Sequence, residues 1–186
     1  MSSKDYDYIM KAVVIGDGGV GKTSLIKNFC EKKFSESYIK TIGANFFVKT
    51  VETEGKKVRM QIWDFAGQDY FGCVREPFYS GSKGSLIVFD LTRYNTFTNI
   101  HKWLEELYKN IKPVIPTVPM GNKVDLKDSR EVGHEIAVNY QKELSKWYEA
   151  KGGFEVPYFE TSAKIGDNVE NVFIKLAEGY MKTIGK

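Results

Sequence analysis

Gly16-Asp17-Gly18-Gly19-Val20-Gly21-Lys22-Thr23 is the stretch from which the fold is read. It fits the phosphate-loop pattern G-x-x-x-x-G-K-[ST]. Ala12-Val13-Val14-Ile15 before it reads as a short buried strand, and Ser24-Leu25-Ile26-Lys27-Asn28-Phe29 after it as a helix. The glycines permit turns that a side chain would block, so successive N–H groups can face phosphate oxygens at the positive end of the helix. Lys22 supplies a mobile cation for terminal phosphates, and the Thr23 hydroxyl is a Mg²⁺ ligand. The competing reading is a plain glycine turn. At ordinary glycine frequency a chance match to the whole pattern is rare.

The chain has 186 residues, the size of one domain with a real core, and we read residues 1–186 as a single unit. With 42% hydrophobic and 14% aromatic residues it is globular, not disordered. A net charge of +3 is too mild to argue for nucleic acid as a partner. Cys30 and Cys73 have no metal spacing and suggest a reducing compartment. Met1 to Met10 lacks an apolar signal core, and no apolar run has membrane-spanning length.

Outward from the loop, strand and helix patterns alternate. Met10–Ile15 is the first strand, residues 22–31 a helix and 32–44 a loop. Asn45–Thr53 and Lys57–Asp64 form an antiparallel pair turning at Glu54-Gly55-Lys56. A short helix is expected at Val74–Tyr79. Ser85–Phe89 is an unbroken apolar run, as in a parallel strand covered on both faces. Phe97, Ile100, Leu104, Leu107 and Ile111 predict one helix, and Ile136, Tyr140, Leu144 and Trp147 the buried face of another. Val114–Met120, despite its prolines, and Val156–Glu160 are the last strands. Asp167 and Glu170 predict a capping box for a final helix burying Val169, Val172, Phe173, Leu176 and Tyr180. The sum is an α/β, doubly wound six-stranded sheet, mostly parallel with one antiparallel strand.

In such sheets ligands lie beyond the carboxyl ends of the strands. The third strand ends at Asp64-Phe65-Ala66-Gly67-Gln68. An acid there can hold Mg²⁺ through water, Gly67 can offer an N–H to a terminal phosphate, and Gln68 can orient a water. Read alone, Asp64 equally suits a turn cap. The fifth and sixth strands end at Gly121-Asn122-Lys123-Val124-Asp125 and Thr161-Ser162-Ala163-Lys164, each alone an ordinary polar loop. His101 and His134 have no acid or nucleophile at a diagnostic spacing and read as structural or surface residues.

In order and approximate spacing, the glycine loop, Asp64 to Gln68, N-K-x-D and T-S-A-K resemble the Ras-superfamily small GTPases over about residues 8–184. Thr41-Ile42-Gly43 and Trp63-Asp64-x-Ala66-Gly67-Gln68 look most like the Rab branch. The resemblance implies a P-loop NTPase fold, GTP/GDP and Mg²⁺ as ligands, and slow GTP hydrolysis in a switch acting in membrane traffic. It places Gly18, Gly19, Val20, Gly21, Lys22, Thr23 and Ser24 on the phosphates, and Thr23, Thr41 and Asp64 on Mg²⁺. Gln68, Lys22 and Thr41 take the catalytic roles, with Gln68 aligning the attacking water and Gly67 meeting the γ-phosphate. Phe34 resembles the aromatic packed against guanine; a plain core anchor is the competing reading. Tyr38 covers the phosphates. Asp125 accepts from guanine, Asn122 and Lys123 brace and flank the base, Ser162 supports Asp125, and Ala163 and Lys164 complete the base loop.

The resemblance also implies an exchange factor, a GTPase-activating protein and effectors, in the cytoplasm or at membranes through partners. No arginine aligns with a built-in finger, so a partner is expected to supply one. Three departures stand out. Cys73-Val74-Arg75-Glu76-Pro77 differs from the usual Rab sequence, so effector contacts there do not carry over. The segment from Asp125 to Thr161 is long, its extra residues including Trp147 to Gly153 as a helix extension or a partner surface. No cysteine lies near the C-terminus, where a Rab is prenylated. A different phosphate-loop ATPase or nucleotide kinase, and a non-hydrolysing GTP-binding scaffold, are the rival readings.

Overall fold

The computed structural model describes residues 5–34, 41, 43–67, 72–151 and 153–185. Six strands form one sheet in the order β2-β3-β1-β4-β5-β6. They are β1 (Tyr8–Ile15), β2 (Ala44–Thr53), β3 (Lys56–Phe65), β4 (Gly84–Asp90), β5 (Thr117–Asn122) and β6 (Phe159–Thr161). Only β2 and β3 are antiparallel; the other neighbours run parallel. Glu54 and Gly55, with φ of 50° and 68°, make the two-residue turn between them, so Lys56 belongs to the strand. Two left-handed residues match the strand twist, as in a type I′ turn.

Helices α1 (Lys22–Glu31) and α6 (Val169–Ile184) cover one face. Their Phe29 and Phe173 rings stack at 3.9 Å between centroids. Helices α2 (Gly72–Tyr79), α3 (Tyr94–Thr98), α4 (Ile100–Asn110) and α5 (His134–Ala150) cover the other. The loop after β1 therefore leads to one face and the loop after β4 to the opposite face. Such a divergence opens a crevice at the carboxyl ends of adjacent strands.

Several expectations need correction. The single helix through Phe97–Ile111 is two, α3 and α4, meeting at Asn99. Val114 and Pro116 precede β5, which starts at Thr117, and β6 spans only Phe159–Thr161. Helix α5 buries Ala137, Leu144 and Tyr148, leaving Ile136 and Trp147 exposed, because Tyr148 rather than Trp147 reaches the core. The residues from Trp147 to Ala150 extend that helix. No capping box forms at α6. Asn168 caps it in a left-handed conformation without a side-chain bond, and Glu170 instead pairs with Lys32 at 2.8 Å. His134 pairs with Glu160 at 2.9 Å, and the His101 ring meets Tyr140 edge-on, both structural contacts.

The Phe29–Phe173 stack ties α1, and with it the phosphate loop, to α6. Phe173→Ala should cost about 3–5 kcal/mol of folding stability through the cavity it leaves, read as the urea-unfolding free energy. A loss under about 1 kcal/mol would show that the site collapses around the missing ring.

Candidate functional site

The carboxyl ends of β1, β3, β5 and β6 bring the expected residues together. Between β1 and α1 the phosphate loop turns through Gly16, Gly19 and Gly21, with φ of 138°, 74° and 101°. Gly21 is needed for space as well, since a Cβ there would lie 2.3 Å from the Asn122 side-chain amide nitrogen. Lys22 is buried and donates Nζ to the Gly16 and Asp17 carbonyls at 2.7 and 2.9 Å. Burial pushes its pKa down to about 8, against the pull of Asp64 and Asp17. A buried ammonium so placed suits an anionic ligand. Val20 is fully buried, Gly18 and Ser24 half-buried.

Thr23, Thr41 and Asp64 meet at one point. Thr23 Oγ1 donates to Asp64 Oδ2 at 2.5 Å and lies 3.0 Å from Thr41 Oγ1. Asp64 is fully buried at the end of β3, and its Oδ1 has no hydrogen-bond partner among the described residues. Burial raises its pKa, opposed by the Thr23 hydroxyl and Lys22. Two hydroxyls and one carboxylate with an unsatisfied oxygen fit a hard divalent cation that keeps water and phosphate ligands. Among the described residues no cluster of His, Cys, Asp or Glu offers a metal an all-protein cage. Gly67 lies against the phosphate loop: a Cβ there would be 2.4 Å from both the Gly16 oxygen and Lys22 Nζ.

The opposite end of the site is held by Asn122. Its Nδ2 donates to the Val20 carbonyl at 2.8 Å, and its Oδ1 accepts from Ala163 N–H at 3.1 Å and Thr161 Oγ1 at 3.3 Å. Ser162 Oγ donates to Asp125 Oδ1 at 2.5 Å, which fixes that carboxylate's orientation. Lys123, with φ of 70°, reaches Asp90 at 2.6 Å, and Lys164 lies exposed on the T-S-A-K loop. Phe34 is 39% exposed, which removes the core-anchor reading. Tyr38 and Gln68 lie outside the described residues.

Sequence reasoning missed a second layer of residues around the loop. Asp17 accepts from Asn99 Nδ2 and Trp103 Nε1, each at 2.7 Å. Arg75 is buried over the Trp103 ring, forks onto Glu106 at 2.7 and 2.7 Å, and donates to the Ala66 carbonyl at 2.9 Å. Tyr79 hydroxyl also donates to Glu106 at 2.7 Å. Helix α4 and its preceding Asn99 thereby hold both the phosphate loop and the segment that ends at Gly67. Only Asp90 left a signal in the sequence, as an acid ending an apolar parallel strand, the feature that marks Asp64.

The Arg75–Glu106 pair is testable as a buried clamp between α2 and α4. Arg75→Met should destabilise the protein by about 3–5 kcal/mol, because it strands a part-buried carboxylate, and Arg75→Met with Glu106→Leu should recover most of that. Urea unfolding of the wild type and both variants measures this. Equal losses in single and double variants would mean that the pair's packing, not its charge balance, holds α2.

The Ras family model matches residues 11–182. The chain is 38% identical to Ras-related protein Rab-1C of Dictyostelium discoideum, covering 98% of this chain and 86% of that protein. It is 37% identical to Ras-related protein Rab-13 of Canis lupus familiaris, with 98% and 85% covered. To GTP-binding protein ypt1 of Schizosaccharomyces pombe it is 36% identical, with 97% and 84% covered. Shared identity along nearly the whole chain, together with a phosphate loop, a Thr–Thr–Asp cluster and an Asn122-laced base loop in one crevice, places this protein in the Ras family, on its Rab branch.

Proposed function

We propose that this protein is a Mg²⁺-dependent GTP-hydrolysing switch, its whole length working as one unit. Asp125 carries the reading. Its carboxylate is oriented by Ser162 at the open end of β5, in line with a phosphate loop bound to the same Asn122. An acceptor-only group there suits the two parallel donors of guanine, N1–H and the N2 amino group, and offers nothing to adenine. This disfavours the ATPase and nucleotide-kinase readings. Lys22, Thr23 and Thr41, gathered with Asp64, argue against a scaffold that binds GTP without using it.

Each residue has a chemical task. Lys22 and the phosphate-loop N–H groups receive the β- and γ-phosphates. Thr23, Thr41 and Asp64 hold the Mg²⁺, which when bound offsets charge between those phosphates. Gly67 presents its N–H to the γ-phosphate, and the Ala66 carbonyl in the same peptide is anchored by Arg75. Gln68 orients the attacking water. Ala163 N–H, Lys123 and Phe34 surround the base. Loss of the γ-phosphate would release the segments around Thr41 and Gln68, the change that partners read.

The face those partners meet is aromatic. Phe46 is 51% exposed on β2, Trp63 packs against it at 5.1 Å on β3, and Phe78 of α2 adjoins Trp63 at 5.2 Å. The strip joins the antiparallel edge to α2, which begins at Gly72, a few residues after Gly67 and Gln68 in sequence, so an effector seated there would feel the phosphate state. Among the described residues no helix is long and apolar enough to cross a membrane. We place the protein in the cytoplasm and at membranes through such partners, acting in membrane traffic with an exchange factor and an activating protein.

Two substitutions test the reading. Gln68→Leu should retain GTP and hydrolyse it far more slowly in a single-turnover assay, since leucine cannot hydrogen-bond the water; a wild-type rate would remove Gln68 from catalysis. Asp125→Asn sets an amide donor against the guanine amino group, whereas xanthine presents a carbonyl there. Competition binding should show lost GDP affinity, by about 10⁴-fold or less, and gained affinity for xanthosine diphosphate. A variant that still prefers GDP, or a wild type that takes ADP equally well, would return the phosphate-loop ATPase reading.

A further inference from the structure

One side chain crosses between the diverging loops of β1 and β4. Arg93 donates Nε to Asp90 Oδ2 at 2.9 Å and Nη2 to the Gly18 carbonyl at 3.1 Å. A Cβ on Gly19 would lie 3.7 Å from the same Nη2, so the guanidinium runs along two successive residues of the phosphate loop. Asp90 is fully buried. Its Oδ2 also receives Lys123 Nζ at 2.6 Å, and its Oδ1 the Thr92 N–H and hydroxyl at 2.9 and 2.7 Å. Burial alone would raise the Asp90 pKa, but Lys123, Thr92 and Arg93 together hold it below the usual carboxylate range.

The consequence for the loop follows from peptide geometry. In a trans peptide the carbonyl of one residue and the N–H of the next point in opposite directions. Tying the Gly18 carbonyl outward therefore turns the Gly19 N–H the other way, toward the inside of the loop. Asn122 does the same at Val20, whose carbonyl it holds at 2.8 Å. One tie comes from the loop after β4, where Arg93 and Lys123 share Asp90, and the other from Asn122 at the end of β5, just before Lys123 and Asp125, so the phosphate cradle is referenced to the base-reading loop at two points. Arg93 has a side chain 40% exposed, so its charge acting through solvent contributes little. What it adds is a planar fork that meets two acceptors at once, which a lysine cannot reproduce.

We infer that Arg93 is a positioning residue for the nucleotide: its fork fixes the Gly18 peptide to the buried Asp90 that also holds Lys123, and so slows nucleotide release. The inference rests on the reading of these loops as a guanine-nucleotide site. It assigns Arg93 no contact with the reacting phosphates. Its action is on the diphosphate end of the ligand, because the peptide it holds belongs to the phosphate loop and not to the loop that carries Asp125.

The test is release of a fluorescent GDP analogue carrying a methylanthraniloyl group, from the wild type, Arg93→Ala and Arg93→Lys. Arg93→Ala should release it about tenfold faster, the equivalent of one charge-assisted hydrogen bond. Arg93→Lys should release it as fast as Arg93→Ala, one ammonium being unable to span both acceptors. Thermal-shift titrations of nucleotide-free protein separate positioning from general loosening. Arg93→Ala should shrink the stabilisation by GDP and leave that by GMP, which lacks the β-phosphate, at the wild-type value. Wild-type release in Arg93→Ala, full restoration by Arg93→Lys, or equal losses with GDP and GMP each overturn the inference while leaving the site reading intact. A wild type that takes up no GDP analogue overturns both.

Discussion

The buried amide of Asn122 is the contact on which the rest of the site depends. It is 1% exposed and spends both ends on other loops: a donor on Val20, an acceptor for Ala163 and Thr161. Three segments far apart in sequence thus share one side chain. A buried amide left without those partners would cost free energy at each unpaired atom, so the loops at the ends of β1, β5 and β6 are most stable in one mutual arrangement. Ordered this way, they set the phosphate loop and the Asp125 carboxylate at a fixed spacing. Helix α1 adds a further tie, with Asn28 Nδ2 donating to the Ala163 carbonyl at 3.1 Å.

The other half of the site is organised by α4. Trp103 stands between two functions, its Nε1–H on Asp17 and its ring under Arg75. Arg75 in turn fastens the Ala66 carbonyl, and Gly67 follows at van der Waals limits against the Gly16 oxygen. A helix that touches neither phosphate nor base therefore sets the distance between the phosphate loop and the segment leading to Gln68. The Asp125 end is tied through the buried amide of Asn122, while the Gly67 end is tied mainly through the side chain of Arg75, by an ion pair, a cation–π contact and a hydrogen bond to Ala66. That asymmetry suits a switch, which must keep its nucleotide while one end of the site changes.

What was legible in the sequence is what has local spacing. The phosphate loop, the β2–β3 turn and the apolar run of β4 each declare themselves within about ten residues, and each lies where expected. The strand-end rule then found Asp64, Asn122 and Ser162, because side chains at strand ends share one rim of the sheet. Local spacing failed at Asn99, where the apolar periodicity runs on through a break between helices. It failed again at Asp167, where the backbone forms an Asp167–Ser162 bridge and leaves no side chain to cap α6. In α5, Trp147 and Tyr148 are adjacent and equally apolar. It is Tyr148 that turns inward, to a neighbour in α4 far off in sequence, the Tyr108 hydroxyl at 2.5 Å from its own. The second layer around the loop was illegible for the same reason: Arg75 with Glu106, and Arg93 with Gly18, are 31 and 75 residues apart.

The charges of the site make a final point about its energetics. Lys22 and Asp64 are both buried, and burial is the largest influence on each, lowering the lysine's pKa and raising the aspartate's. Each is thus held where its charged form is disfavoured, offset only in part by the other and by the hydroxyls of Thr23 and Thr41. Arg75 and Arg93 add to the strain on Lys22 by repulsion. On the function proposed above, a phosphate chain with a divalent cation would bring the matching charges, anionic beside Lys22 and cationic beside Asp64, into a region where they are screened weakly. Binding to the folded state alone would then add stability that grows with the logarithm of ligand concentration over Kd. The same buried charges that weaken the fold by themselves make the ligand's contribution large, so retention of the nucleotide and integrity of the fold are aspects of one electrostatic arrangement.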